Sequence, residues 1–370
     1  MNIIVTGSKG FIGKNLCVML KEHGYKDIVE IDRHTSEDEL TQALKSADFV
    51  YHLAGINRPK NDDEFEQGNA DLTRYITEKL VEFNRKTPLV LSSSTQAELS
   101  NAYGQSKRRA ENAVEQYGEA TQAPYFIYRF PNVFGKWCRP NYNSFVATFC
   151  YNTLNDIEIN IHDPNAPVSL VYIDDVCQQL IALLESGTAS GFKKIEPEYA
   201  TTVGEVAQLL SAFKESRNNL IVEDVGVGLE RALYSTYISY MKPGQFHYAV
   251  PSYGDERGVF SEMLKTKHSG QFSFFTAHPG ITRGGHYHHS KNEKFLVVKG
   301  QARFKFQHID TGEYYELDTN DKSLQVVETV PGWTHDITNI GDDEMIVMLW
   351  ANEVFDRENP DTFARPISQA

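Results

Sequence analysis

The sequence predicts two consecutive domains of different classes, a doubly wound parallel α/β sheet followed by an antiparallel barrel or sandwich. Strand-like and helix-like segments alternate in the first half, a glycine-rich loop follows the first strand, and strand-rich stretches separated by turn residues begin near Tyr248. A chain of 370 residues also exceeds the usual size of a single domain. We expect domains at residues 1–245 and 246–370, because the pattern changes around the PGQFH stretch.

The individual elements follow from the spacing of apolar residues. Five short apolar runs in the first half are predicted strands: Ile3–Val5, Ile28–Ile31, Phe49–Leu53, Leu89–Leu91 and Tyr125–Tyr128. Three longer segments of mixed polarity are predicted helices: Gly13–His23, Asp71–Arg85 and Ser106–Tyr117. Six strands are predicted in the second half: Gln271–Ala277, Glu293–Val298, Ala302–His308, Tyr314–Leu317, Leu324–Glu328 and Met345–Trp350.

Composition and charge exclude several classes of protein. The net charge of −14 argues against a nucleic-acid partner. No apolar run approaches the ~18 residues needed to span a bilayer, and the start of the chain does not read as a signal peptide. The four cysteines have no paired spacing, which indicates reduced thiols. We therefore expect a cytoplasmic protein without a membrane partner.

The segment TGSKGFIG, directly after the first predicted strand, has the pattern of a dinucleotide-binding loop. Gly7, Gly10 and Gly13 suit a tight turn, close approach of a diphosphate and contact between helix and strand. Phe11 and Ile12 lie in the same loop, where the unsatisfied N–H groups of the helix would face the phosphates. The position of the loop between a strand and a helix favours this interpretation over an ordinary turn.

The end of the second strand bears on the choice of cofactor. Asp32 at this point suggests contact with the ribose hydroxyls of NAD, whereas Arg33 suggests the 2′-phosphate of NADP. Lys9 in the glycine loop can approach the same phosphate, and two cations against one acid favour NADP. The alternative is that Asp32 and Arg33 form only a solvated turn. Leu53 and Ala54, which end the third strand, are expected to line the adenine side.

A second cluster predicts the chemistry of the first domain. Tyr103 and Lys107 are four residues apart and lie on one face of a predicted helix, and Ser92–Ser94 end the preceding strand. A nearby ammonium ion and an oxidised nicotinamide ring would lower the pKa of the phenol. The phenol then donates a proton to a carbonyl oxygen as hydride arrives, and a serine steadies that oxygen. A surface Tyr–Lys pair is the alternative interpretation.

With these motifs, residues 1 to about 240 resemble an extended short-chain dehydrogenase/reductase, a family with a Rossmann-type sheet that works on nucleotide sugars. The resemblance implies that Ser94 is the catalytic serine, with Ser93 and Thr95 as close competitors. It also implies that Tyr103 is the acid–base and that Lys107 supports it and holds the nicotinamide ribose.

Two further segments resemble parts of the same family. Arg129–Gly135 resembles the segment that borders nicotinamide and the sugar diphosphate, which implies that Asn132 binds substrate. Tyr172–Val176 resembles the start of a later helix. There Asp174 or Asp175 is as well explained as a helix cap.

The second domain contains a pattern typical of a metal site. His286 and His288 alternate along a strand and so share a face, Glu293 follows on the next strand-like run, and His335 comes later, just after a turn. Three imidazoles and one carboxylate form a suitable donor set for one divalent metal per chain, and Zn²⁺ is the metal that this set favours.

These stretches resemble both motifs of the cupin family, whose fold is an all-β jelly-roll barrel. The resemblance implies that His286, His288, Glu293 and His335 are the metal ligands. Histidines retained for packing, or a histidine base without metal as in some sugar epimerases, are the alternatives. His289 is a candidate for a role beside the ligands.

The order of the two domains resembles bifunctional enzymes of capsular polysaccharide synthesis. In these enzymes the cupin epimerises C3 of a UDP-4-keto-6-deoxy-N-acetylhexosamine. The reductase then reduces the C4 ketone with NADPH and gives UDP-N-acetyl-6-deoxy-L-talosamine, a precursor of N-acetyl-L-fucosamine. The candidate bases for the epimerisation are His289, Lys294 and Asp336. We also expect the protein to be a homodimer.

Two other functions fit part of the pattern. The cupin is either an epimerase or a non-catalytic module for sugar binding or dimerisation beside an active reductase. A redox sensor that binds NADP without turnover is a third hypothesis, which the Tyr103–Lys107 pair and the serine run disfavour.

Overall fold

The computed structural model describes residues 1–185, 187–358 and 360–368. They form two compact units, Met1–Leu210 with Arg231–Met241, and Ser211–Glu230 with the described part of Lys242–Ala370. The division therefore falls within two helices, and the predicted boundary at residue 245 stays a prediction. Among the described helices, none combines the length and the apolar character that a membrane span requires.

The chain up to residue 241 alternates strands and helices. Its strands are β1 (Ile3–Thr6), β2 (Ile28–Ile31), β3 (Phe49–His52), β4 (Leu89–Ser94), β5 (Tyr125–Phe130), β6 (Asn132–Phe134), β7 (Pro167–Tyr172), β8 (Gly191–Lys193), β9 (Tyr199–Thr202) and β10 (Ile221–Val222). Its helices are α1 (Phe11–Glu22), α2 (Glu37–Lys45), α3 (Asp63–Phe65), α4 (Leu72–Glu82), α5 (Ala102–Thr121), α6 (Phe145–Leu154), α7 (Ile173–Ala182), α8 (Val203–Asn219) and α9 (Gly228–Ile238). A π-helical segment, Glu66–Asp71, links α3 to α4, and a 3₁₀ segment, Thr95–Glu98, precedes α5.

The first unit is built on a parallel sheet with the strand order β2-β1-β3-β4-β5-β8. Its strands are short and apolar, and residues such as Ile4, Val50 and Leu89 are fully buried in the core. β1 lies between β2 and β3, so the direction of winding reverses there. In open α/β sheets, ligands bind at the carboxyl ends of the strands next to this reversal.

The second unit is rich in antiparallel strands. They are β11 (Ser252–Asp255), β12 (Gly258–Thr266), β13 (Gln271–Ala277), β14 (Thr282–Tyr287), β15 (Glu293–Lys299), β16 (Gln301–His308), β17 (Tyr314–Asn320), β18 (Val326–Glu328), β19 (Trp333–Asn339), β20 (Met345–Ala351) and β21 (Phe363–Ala364). One sheet has the order β10-β12-β13-β20-β15-β18, with β11 beside β12, and the other has the order β17-β16-β19-β14-β21.

Alternate residues of these strands form one apolar core. Phe275 and Phe295 from one sheet and Phe304 and Ile337 from the other are all nearly fully buried. The rings of Phe295 and Phe304 are 5.7 Å apart between centroids, within the range of favourable aromatic pairs. The predicted fold class, a Rossmann-type α/β unit followed by a β unit of cupin type, is confirmed.

Candidate functional site

The loop between β1 and α1 packs backbone against backbone at two of its glycines. Gly7 has a φ of +69°, and a Cβ atom there would lie 2.7 Å from the amide nitrogen of Ala54. A Cβ atom on Gly13 would lie 2.3 Å from the carbonyl oxygen of Gly7. Only glycine fits both places. Because no side chain caps the N-terminus of α1, its first N–H groups are suited to bind phosphate.

The other residues predicted to bind the cofactor lie beside these two glycines. Gly10 donates its N–H to the carbonyl oxygen of Gly7 at 2.8 Å. Phe11 and Ile12 open α1 and are half-buried, as is Leu53 just beyond β3. The structure therefore brings the predicted glycine loop and the end of β3 together.

Lys9 has a partner that the sequence analysis missed. Its ammonium lies 2.5 Å from Glu30 on β2, and Lys21 lies 2.7 Å from the same carboxylate. Hydrogen bonds from Lys21 and Lys9 hold the pKa of Glu30 below its usual range. Two lysines thus share one acid, so Lys9 must leave this pair before it can reach an adenosine phosphate.

Asp32 and Arg33 lie in the turn after β2. The carboxylate of Asp32 accepts the backbone N–H of His34 at 2.8 Å, which fixes the turn. Arg33 is exposed, and its Nε donates to the His34 ring at 3.2 Å. The described contact of Arg33 is therefore with an imidazole ring, whereas those of Lys9 and Lys21 are with a carboxylate.

Helix α5 places Tyr103 and Lys107 beside β4. Asn101 caps the helix by accepting the N–H of Gly104 at 2.7 Å, so the helix begins at Ala102, earlier than predicted. Lys107 is buried, and its ammonium donates to the carbonyl oxygen of Ser92 at 2.9 Å. Burial lowers the pKa of Lys107 to about 8, while the charge of Glu111 opposes this shift.

The serine run divides between the two faces of β4. Ser93 is buried and donates to Glu111 at 2.6 Å, whereas Ser94 faces Tyr103. Burial raises the pKa of the Tyr103 phenol, and its hydrogen bond with Ser94 opposes the rise. Thr95 is exposed at the start of the 3₁₀ segment. Of the three candidates, the structure brings Ser94 to Tyr103, and the phenol keeps its proton more firmly than expected.

Asn69 belongs to the same centre, although sequence reasoning missed it. It is buried in the π-helical segment, accepts the N–H of Ile56 at 2.9 Å and donates to Ser106 at 3.0 Å. A Cβ atom on Gly55 would lie 2.9 Å from the Asn69 amide oxygen and 3.0 Å from the Lys107 ammonium. A Gly–Asn pair inside a helical segment was the available signal.

The two further family-like segments lie at the end of β5 with β6, and at the end of β7 with the start of α7. Asn132, the predicted substrate-binding residue, is exposed and donates to the carbonyl oxygen of Ser169 at 3.2 Å. Asp174, in the first turn of α7, pairs with Lys136. Burial raises the pKa of Asp175, and Arg231 opposes the rise. Asp174 therefore has a side-chain partner, and Asp175 is under the charge of Arg231, in addition to their positions at a helix start.

Four side chains of the second unit converge as predicted. His286, His288, Glu293 and His335 each offer one ligand atom, and these atoms all lie within 4.8 Å of one another. The Nε2 atoms of His288 and His335 lie 3.3 Å and 3.5 Å from one oxygen of Glu293. Among the described residues, neither ring nitrogen of buried His335 has a hydrogen-bond partner. Such orphaned nitrogens in a three-nitrogen, one-oxygen set fit a divalent cation.

A bulge in β14 brings His286 to this cluster. Gly284 pairs with Asp336 and His286 pairs with His335, so Gly285 is the extra residue. Gly284 and Gly285 have φ values of +102° and +77°, which glycine adopts without strain. An unbroken strand would have turned His286 to the opposite face.

The charges of the cluster suit metal binding. Burial opposes ionisation of Glu293, but its contacts with His288 and His335 and the charge of Lys291 hold its pKa well below the usual range. Burial lowers the pKa of His286 to about 4, so its ring is neutral. Lys291, which sequence reasoning missed, is buried 3.2 Å from the other oxygen of Glu293.

The loop that carries His288 is closed by residues 361–365, the closing segment. Asp361 accepts the N–H groups of His289, Ser290 and Lys291 at 2.7–2.9 Å, and its carbonyl oxygen contacts Nδ1 of His288. These bonds lower the pKa of Asp361 although its partial burial opposes them. With Nδ1 engaged in this way, Nε2 of His288 is the ring nitrogen that faces the cluster, 3.3 Å from Glu293.

Two of the three candidate bases contact residues outside this cluster, and the third points away from it. Lys294 is exposed on β15 and pairs with Glu328. His289 packs against Phe363, with ring centroids 4.9 Å apart. Asp336 follows His335 on β19 and so points to the other face of the strand.

Comparison with known proteins covers both units. The model of the NAD dependent epimerase/dehydratase family matches residues 3–193, and that of the polysaccharide biosynthesis C-terminal domain matches residues 253–363. A Pseudomonas aeruginosa protein named UDP-2-acetamido-2,6-beta-L-arabino-hexul-4-ose reductase is 53% identical over 370 residues, which is 100% of each chain.

Solved structures are similar to all or part of the chain. The capsular polysaccharide assembling protein CapF from Staphylococcus aureus has a TM-score of 0.91 and 41% identity, covering 99% of this chain and 100% of that one. UDP-glucose 4-epimerase from Thermotoga maritima has a TM-score of 0.56 and 20% identity over 65% of this chain and 98% of that one, which shows a shared fold. The predicted resemblance to a capsular polysaccharide enzyme is confirmed.

The closing segment gives a test of the metal centre. Replacing Asp361 by Ala removes the acceptor for three N–H groups, so the loop carrying His288 should lose its order. Affinity for Zn²⁺, measured by competition with a chromophoric chelator, should fall ~10- to 100-fold, as for other groups that orient ligands. Asp342→Ala, which removes an exposed acid from another turn, is the control. Equal affinity of both variants would contradict this role.

Proposed function

This chain belongs to the NAD dependent epimerase/dehydratase family, and from that premise we propose that it is an NADPH-dependent reductase of a UDP-linked 4-keto sugar. The observation that carries the proposal is the placement of Ser94 and Lys107 beside Tyr103 at the end of β4. The name of the full-length Pseudomonas aeruginosa relative supports the same reaction class.

The side chains provide the proton side of a ketone reduction. A bound nicotinamide cofactor supplies the hydride. Because burial raises its pKa, the Tyr103 phenol is protonated at neutral pH and donates that proton to the ketone oxygen. Ser94 hydrogen-bonds with the Tyr103 side chain. The buried ammonium of Lys107 stabilises the phenolate that remains after the proton is donated. A solvent proton then restores the phenol.

The second part of the proposal concerns the β unit. His286, His288, Glu293 and His335 would hold one divalent metal, for which zinc is the natural choice. Such a metal, when bound, stabilises negative charge on a ketone oxygen and so acidifies the hydrogen at C3. Lys291 places a further positive charge beside these ligands. We therefore propose that this unit epimerises C3 before the reductase acts, giving UDP-N-acetyl-6-deoxy-L-talosamine.

The proposal also includes a homodimer in the cytoplasm. Cys17, Cys138, Cys150 and Cys177 are free and buried in the structure. Free thiols of this kind suit a reducing compartment.

The first prediction from this proposed function concerns Tyr103 as the proton donor. Tyr103→Phe keeps the ring and removes the proton donor, so C4 reduction should fall at least ~100-fold, the usual scale for one general acid. The rate is followed by NADPH absorbance, and NADPH affinity, measured by fluorescence, should be unchanged. Near-normal turnover would disprove the role of Tyr103.

A second prediction concerns cofactor choice. If exposed Arg33 binds the 2′-phosphate, Arg33→Ala should raise KM for NADPH roughly 10- to 150-fold, the value of one charge-assisted contact of ~1.5–3 kcal/mol. KM for NADH should hardly change. Lys45→Ala, which removes an exposed cation at the end of α2, is the control. A wild-type enzyme that prefers NADH would show that Asp32 decides instead.

A third prediction separates an epimerase from a binding or dimerisation module. Enolisation exchanges the C3 hydrogen with solvent, whereas hydride transfer to C4 does not. In D₂O without NADPH, the full-length Tyr103→Phe enzyme should introduce deuterium at C3 of the 4-keto sugar, and His335→Ala should not, because the metal is lost. Mass spectrometry measures the exchange. No exchange above a buffer control by metal-loaded protein would leave the β unit a non-catalytic module.

A further inference from the structure

A carboxylate lies enclosed beneath the proposed reductase centre. Glu111 is 0% exposed and follows Lys107 by one turn of α5. Each of its oxygens accepts two hydrogen bonds, one pair from Ser93 at 2.6 Å and Arg129 Nε at 2.8 Å, the other from Arg129 Nη2 at 2.7 Å and Arg108 at 3.1 Å. Every lone pair of the carboxylate is therefore engaged by a protein donor.

These bonds join three elements of the reductase centre. Ser93 belongs to β4, Arg129 to β5, and Arg108 and Glu111 to α5. Arg129 also pairs at 2.8 Å with Glu98, in the 3₁₀ segment that connects β4 to α5. Glu111 thus connects the strand that carries Ser94 to the helix that carries Tyr103.

The bond to Ser93 has a direct consequence for its neighbour. Successive side chains of a strand point to opposite faces. When Glu111 holds Ser93 on one face of β4, Ser94 must occupy the other, where it hydrogen-bonds with Tyr103. Rotation of the strand end would move both serines together.

The charge of Glu111 also acts on Lys107. Lys107 lies near the Tyr103 ring on its own helix and donates to the carbonyl oxygen of Ser92 on β4, and its charge also acts on His52 on β3. Burial lowers the pKa of His52 to about 3, so this ring is neutral. Among the described residues, Glu111 is the anion that opposes the effect of burial on Lys107.

We propose that Glu111 is a positioning residue of the reductase centre, which fixes Ser93 so that Ser94 faces Tyr103 and whose negative charge keeps Lys107 an ammonium ion. This inference rests on the proposed reductase function. An ion pair with Arg129 that only stabilises the fold is the competing explanation, and it predicts no change in pH dependence.

The test compares Glu111→Gln, Ser93→Ala and the control Glu119→Gln, which removes an exposed acid from the same helix. NADPH-dependent reduction of the 4-keto sugar is measured from pH 6 to 10, a range chosen to bracket the pKa of Lys107, about 8. Without the charge of Glu111, Lys107 loses its proton at lower pH, so the alkaline fall in kcat should move down by about one pH unit. The rate at neutral pH should fall roughly 10-fold or more.

Ser93→Ala separates position from charge. It should lower kcat several-fold without moving the alkaline limb, because the Glu111 side chain and its contacts with Arg129 and Arg108 are retained. NADPH affinity should be unchanged in all three variants, and Glu119→Gln should match the wild type throughout.

Three outcomes overturn the proposal. A uniform loss of rate in Glu111→Gln with an unmoved limb would make the residue structural only. Wild-type rates in Ser93→Ala would remove the positioning role, even if Glu111→Gln fails to fold. Wild-type behaviour of Glu111→Gln would remove both roles. A wild-type enzyme that does not reduce the ketone at all would instead refute the proposed function itself.

Discussion

The parallel pairing of β1, β3 and β4 is the constraint on which the first unit depends. Thr6 pairs with His52, and His52 pairs with Leu91, so the three strands end at the same edge of the sheet. The buried His52 ring joins Thr6 to Thr73 by bonds of 2.7 and 2.8 Å and fixes this register with polar contacts. The glycine loop, the turn after β3 and the end of the serine run therefore open side by side. A cofactor and a carbonyl substrate can meet only because these strands end together.

Each unit also contains a buried carboxylate, and the two differ in how their oxygens are engaged. Glu111 receives four hydrogen bonds from fixed donors, which leaves it no capacity to bind a ligand. Glu293 has Lys291 on one oxygen and imidazole nitrogens near the other, and the ring of His335 has no hydrogen-bond partner in the described part of the chain. The first arrangement is typical of a group that holds others in place. The second is typical of a site that accepts a cation.

Site residues could be predicted from the sequence where reactive side chains recur at the spacing of a helix or strand. Contacts between residues that are far apart in the chain could not. The Tyr103–Lys107 pair follows from helical spacing, and the shared face of His286 and His288 follows from strand alternation. Glu293 and His335 lie outside that local pattern and were predicted as ligands through the resemblance to the cupin motifs. The strand β14 was not predicted, since its two glycines obscure the alternation, and the bulge they form changes which face His286 occupies. The pairing of Lys9 with Glu30 and the role of Asp361, 73 residues beyond His288, depend on the folded sheet. No local pattern encodes such contacts.

The closing segment holds the loop that carries His288. Attachment of this segment and ligand binding at the loop therefore affect each other. If the segment detaches for part of the time, only the attached population presents His288 correctly, so apparent affinity falls by the attached fraction. Thermodynamic linkage requires the converse as well. A ligand that binds more tightly when the loop is closed must increase the population in which residues 361–365 are attached. The N–H of Arg365 donates to the carbonyl oxygen of Gly285 at 2.8 Å. The rate of its amide hydrogen exchange would therefore report whether a ligand is bound at the cluster that contains His288.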